Sequence, residues 1–134
     1  AKIRLVLGHN DKLNFHSLQV EEILTHIKGN DVLVHMIDKD GNYKQLFLGS
    51  EHKSAEKKIN IQPGAVFSEE VIGNYAYSLI EAETKPAFSS DDFKEYSEQE
   101  VIKLLNKSSL SFFLERNKKK SNEKIESNLK IENT

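Results

Sequence analysis

Apolar and polar residues alternate with a period of two along much of the first 85 residues, the period of strands with one buried face. Ile3, Leu5 and Leu7 alternate with Lys2 and Arg4. The cluster Gly8-His9-Asn10-Asp11 reads as a turn, after which Leu13 to Leu18 resumes an extended pattern. Glu21 to Lys28 predicts a strand with Glu22, Leu24 and His26 on one side and Ile23, Thr25 and Ile27 on the other. Glu and Leu also favour a helix over Val20–Ile27. The Gly29-Asn30 turn and the β-rich hairpin behind it decide for a strand.

That hairpin pairs Val32–Ile37 with Tyr43–Leu48 across Asp38-Lys39-Asp40-Gly41, a tight Asp-Gly turn. Residues 50–58 are polar and read as a loop. Ile59 and Ile61 lead into Gln62-Pro63-Gly64, where proline presets φ and glycine permits the reversal. Val66 and Phe67 begin another strand, and Gly73-Asn74 turns into Tyr75–Ala82. Turn signals roughly every 8–12 residues are the spacing of a sandwich or a small barrel.

The pattern changes at Ser97-Glu98-Gln99-Glu100, a capping box followed by the apolar stripe Val101, Ile102, Leu104 and Leu105. A terminal helix packed on the sheets is predicted. Leu110, Phe112, Phe113 and Leu114 also need cover, so either that helix continues past Ser108-Ser109 or a second one docks. The chain divides into a β-barrel over 1–96, a helical segment over 97–116 and a polar tail over 117–134. The tail has only Ile125, Leu129 and Ile131 as apolar residues and is expected to be disordered or a frayed helix.

Composition narrows the partners. The formal net charge is −2; residues 115–134 carry six basic and four acidic side chains, so residues 1–114 carry −4. A body of that sign does not favour nucleic acid. Without cysteine there is no disulfide frame, no thiolate chemistry and no Cys-ligated zinc, which fits a cytoplasmic protein. No apolar run approaches the length of a membrane helix. The chain starts at Ala1 directly on a strand, which suggests a processed or truncated N-terminus.

Several blocks in order resemble the cupin superfamily, an RmlC-like jelly roll, and most closely its branch labelled predicted sugar epimerases. Phe15-His16 is similar to the histidine at the end of that branch's early strand. Glu21-Glu22-Ile23 followed by Gly29-Asn30 resembles its acidic strand. Asp38–Gly41 through Leu48-Gly49 resembles its hairpin, and Pro63–Phe67 its later turn, with Phe67 where the branch has tryptophan. Pro86-Ala87-Phe88, Asp92-Phe93 and Glu98–Leu105 resemble its closing segment and helix. The resemblance implies a mainly β fold, a cupin-type antiparallel jelly-roll barrel with a C-terminal α-helix.

It also implies where function would sit. Metal-binding cupins carry two histidines one residue apart before the Glu, and a third after the turn. Here His16 and Glu22 stand in that pattern, but Leu18 and Ser68 take the other two positions, so no metal and no cofactor are expected. A His16–Glu22–His26 metal site is the weaker alternative. The His-Pro-Glu-Gly-Gly segment that lines the family pocket precedes the point where this sequence begins.

Two functions are carried forward. The first is a non-catalytic or degenerate cupin that binds a small ligand or serves assembly. The second is a sugar or sugar-nucleotide epimerase or isomerase, with His16 as base, Glu22 as its partner and Tyr77 (or Tyr75) as acid. His26, Phe67 and Tyr75 are the candidate ligand contacts. His35, between apolar neighbours, reads as a satisfied structural histidine. The apolar outer face of Ile23–Ile27 predicts a homodimer.

Overall fold

The alternation resolves into two antiparallel sheets packed face to face. The structure, a computed structural model, describes residues 1–8, 13–73, 77–87 and 89–116. The strands are β1 (Lys2–Gly8), β2 (His16–Leu18), β3 (Glu21–Gly29), β4 (Val32–Ile37), β5 (Tyr43–Leu48), β6 (Lys58–Ile61), β7 (Val66–Val71), β8 (Tyr77–Lys85) and β9 (Phe93–Glu95). One sheet runs β1-β8-β3-β6 and the other β5-β4-β7-β2-β9. This is a jelly-roll sandwich, the architecture expected from the sequence.

Between the sheets lies a core of Leu24, Val34, Leu48, Ile61, Phe67 and Ile80 with their neighbours. These are the inward members of their strands. On β3 the inner face carries Glu22, Leu24 and His26, all buried, while Ile23, Thr25 and Ile27 are half-buried on the outer face. The register that sequence alone could not fix is therefore the one that turns both Glu22 and His26 inward.

β7 is buried along its whole length, because it is covered twice. Phe67 and Val71 belong to the inter-sheet core. Val66 faces outward under helical cover, in a second cluster with Phe15, Ile37, Val101, Leu105 and Phe113. That cover comes from helix α1 (Glu98–Leu104) and from residues 107–116, which form a second helix, α2. Ser97 caps α1 as the capping box predicts, accepting from the Glu100 amide while the Glu100 carboxylate accepts from the Ser97 amide, both at 3.2 Å. The helix does not run through to Ser108. It ends at Leu105, and Asn106 caps the next one by accepting from the Ser109 amide at 2.9 Å.

The break is where the hairpin turn docks. The Asn106 amide donates to the Gly41 carbonyl at 3.0 Å, and a Cβ on Gly41 would stand 2.6 Å from the Leu104 carbonyl oxygen. Gly41 also holds φ +80°, so only glycine suits both demands. The turn residues thus close the hairpin and receive the helices.

The polar loop after β5 is tied down by a buried carboxylate. Asp31 accepts from the amides of Ser50, Glu51 and His52, at 2.9, 3.1 and 2.8 Å. Burial alone would raise its pKa, but these donors outweigh that effect and hold it below the usual carboxylate range. Strand β9 carries no period-two signal in the sequence, β2 is shorter than the Leu13–Leu18 extent, and β8 extends further, to Lys85. The expected disorder of 117–134, the Asn74 part of its turn, His9, Tyr75 and Phe88 lie outside the described residues.

Candidate functional site

The site is built where the two sheets part. β2 places His16 beside Phe67 of β7 and Glu95 of β9 in register. Its ring packs on Phe67, with centroids 4.3 Å apart, and stacks on Phe93 at 5.7 Å. Nδ1 lies 2.8 Å from the Asn14 carbonyl oxygen. A carbonyl can only accept, so Nδ1 carries the proton and Nε2 of the neutral ring carries a lone pair. Desolvation lowers the His16 pKa, against smaller opposing effects from that carbonyl and the Glu95 charge. The imidazole is therefore neutral near pH 7.

Glu22 and Glu69 meet His16 around one cavity of about 140 Å³. Glu22 comes from β3 in one sheet, Glu69 from β7 in the other. Thr84, the register partner of Glu22 on β8, also lines it, as does Ala1, whose terminal ammonium donates to the Thr84 carbonyl at 3.2 Å. Ile3, Leu5, Leu13, Leu18, Ala82 and Phe93 form apolar walls. Glu22, Glu69 and Thr84 are only 7%, 2% and 5% exposed. One oxygen of each, Glu22 Oε2, Glu69 Oε2 and Thr84 Oγ1, is buried and meets no hydrogen-bond partner.

Burial pushes the Glu22 carboxyl up to about 7. Burial, and after it the charge of Glu22, pushes Glu69 up to about 8. Two buried carboxyls lining one cavity disfavour each other's ionisation, so near neutral pH the pair retains proton occupancy.

The other candidates fall elsewhere. Phe67 is fully buried behind the His16 ring. His26 shares the inner face of β3 with Glu22, but four residues on, roughly 13 Å away along the strand. There its Nε2 lies 2.9 Å from the Asn30 carbonyl oxygen, and it does not line the cavity. Tyr77 opens β8 opposite Gly8, is 37% exposed and also lies outside the cavity lining. The structure brings His16 and Glu22 together, and leaves His26 and Tyr77 apart from them.

Glu69 and Thr84 were not anticipated. The signal for Glu69 was present: in Ser68-Glu69-Glu70 a strand must turn one of two adjacent glutamates inward. Ser68, at the position where metal-binding cupins carry a histidine, pairs in register with His35, and it does not line the cavity. Among the described residues no three His, Asp or Glu side chains are arranged to hold a metal ion. The donor set therefore does not fit the cupin metal site.

A second buried polar cluster sits under α2. His35 bonds through Nδ1 to the Tyr43 hydroxyl, and its Nε2 is 3.4 Å from Glu70 Oε1. Arg116 Nη2 reaches the same oxygen at 3.6 Å. This ties the helix to the sheet and makes His35 a satisfied structural residue. Among the described residues no helix is long and apolar enough to cross a membrane.

Comparison with known proteins agrees with the architecture. A search of curated proteins gave no significant match. A hypothetical protein from Leishmania major has 20% identity and a TM-score of 0.72, over 77% of this chain and 68% of that one. A protein from Shewanella oneidensis has 21% identity and a TM-score of 0.70, over 76% of this chain, which spans 65% of that protein's length. A dTDP sugar isomerase from Desulfovibrio desulfuricans G20 is similar at 10% identity and a TM-score of 0.61, over 73% of this chain and 64% of that one. At these identities the likeness is one of fold. The family described as cupin superfamily (DUF985) matches residues 1–96, and the chain belongs to that family.

Proposed function

We propose that this cupin domain binds a small, compact ligand in the cavity between its sheets, with its polar end at Glu22, Glu69 and Thr84. One observation carries the reading. Two buried carboxyls and a hydroxyl from three strands line one largely apolar cavity, and each has an oxygen that no group of the protein bonds, an unmet buried polar atom that costs roughly 1–3 kcal/mol. Apolar walls with a few convergent polar groups are the usual make-up of a small-molecule site. A homodimer through the outer face of β3, where Ile23 and Ile27 are half-buried, belongs to the same proposal.

The experiment is an amide NMR titration with six-heavy-atom compounds that are neutral, cationic or anionic. Shifts should centre on His16, Leu18, Glu22, Glu69 and Thr84. Ile3→Trp, which fills the rim of the cavity, should abolish them. Shifts that persist in Ile3→Trp, or none with any compound, would refute the reading.

A second reading has its own observation. A neutral imidazole and a carboxyl protonated near pH 7 line one cavity, the pairing that proton transfer next to a carbonyl requires. His16 would be the base and Glu69 or Glu22 the acid, replacing Tyr77. The sugar-isomerase neighbour lends this reading its substrate class, a carbohydrate or sugar nucleotide. Turnover of a dTDP-4-keto sugar that disappears in Glu69→Gln would support it; no turnover by the wild-type chain would refute it.

A further inference from the structure

We infer that the cavity selects a primary ammonium group carried on a short branched hydrocarbon. The inference rests on the cavity being the ligand site and names the chemistry of its ligand. Glu22 Oε2, Glu69 Oε2 and Thr84 Oγ1 each lack a partner. A primary ammonium offers three N–H donors and no acceptor, the complement of a cavity lined by two carboxyls and a hydroxyl.

Charge points the same way. A buried carboxyl pair that keeps one proton still carries a single negative charge. The pair attracts a monocation, whereas an anion adds to the repulsion. A buried charge is tolerated only when paired and hydrogen-bonded, and the two carboxyls supply both conditions. Binding a cation also favours ionisation of the pair, so association should release protons into solution near pH 7.

Size and wall chemistry set the rest of the ligand. A cavity of about 140 Å³ is close to the roughly 150 Å³ apolar cavity that holds benzene. Ile3, Leu5, Leu18 and Phe93 line it with hydrocarbon. A body of about five carbons behind the ammonium group fits that space and those walls.

The test compares three probes of one shape by calorimetry at pH 7: 3-methylbutylamine, 3-methylbutan-1-ol and 3-methylbutanoate. The amine should bind at least ten-fold more tightly than the alcohol and the acid not at all. Its heat should vary with the ionisation enthalpy of the buffer, the mark of proton release. Glu69→Gln and, separately, Glu22→Gln should weaken the amine at least ten-fold and the alcohol by a much smaller factor. Alcohol binding as tight as the amine, or amine binding indifferent to both substitutions, would overturn the ammonium inference while sparing the cavity reading. Failure of all three probes would overturn both. A stoichiometric divalent metal held by the two carboxylates in the purified protein would also overturn the inference.

Discussion

Glu22 and Glu69 stand on opposite sheets and line the same cavity, each with one buried oxygen that no hydrogen-bond donor meets. Natural cores seldom keep two such groups. Their pKa values, about 7 and about 8 against an ordinary 4.5, follow from that placement.

Stability should therefore fall as the solution becomes more basic. The folded state binds protons that the unfolded chain has already lost above pH 4.5. The pair's contribution is complete below that pH and disappears as pH rises through 7 and 8. Glu69→Gln should flatten this decline. At pH 8.5 it should stabilise the protein by roughly 1–3 kcal/mol, since one pKa unit is worth about 1.4 kcal/mol. Urea unfolding between pH 5 and 8.5 checks the slope in both proteins.

Asp31 behaves in the opposite sense. Its depressed pKa makes its contribution complete above the unfolded value of 3.8 and lost as pH falls through the lower folded value. Asp31→Ala strands the amides of Ser50, Glu51 and His52 and should cost about 2–4 kcal/mol at pH 6. Below pH 3 the difference from wild type should shrink. Denaturant midpoints at the two pH values read it directly.

The clamp under α2 predicts a local effect. Glu70 is the anion that both His35 and Arg116 approach. Glu70→Ala should destabilise the chain by about 1–3 kcal/mol, because it leaves two polar groups under the helix without that anion. Hydrogen exchange should speed up most over residues 107–116, with β3 and β8 little changed. Uniform loss of protection would contradict a local clamp.

Much of the fold was legible because period-two alternation and turn residues act locally. Ile59 and Ile61 face the core as their alternation with polar neighbours predicts, and Asp38–Gly41 reverses the chain. The helix break at Asn106 was not legible, because it depends on the Gly41 turn docking there across 65 positions of sequence. The short pairing of β9 with β2 is equally non-local.

The candidate site was half visible. His16 and Glu22 stood out through a family resemblance and do share a cavity. Glu69 stayed hidden because Glu69 and Glu70 are equivalent until the register of β7 is known, and that register is set by β4 and β2 on either side. Tyr77 stands opposite Gly8 at the start of β8, outside the cavity lining, a position that its chemistry alone does not indicate.

The most direct measurement is a carbon-detected NMR titration of the glutamate side-chain carboxyls in the full chain. It should show the resonances of Glu22 and Glu69 titrating in two coupled steps near pH 7 and 8, with each step displaced when the other residue is changed to glutamine. If both carboxyls titrate independently between pH 4 and 5, they are solvated or already partnered, and a cavity lined by two desolvated carboxyls is not what this protein contains.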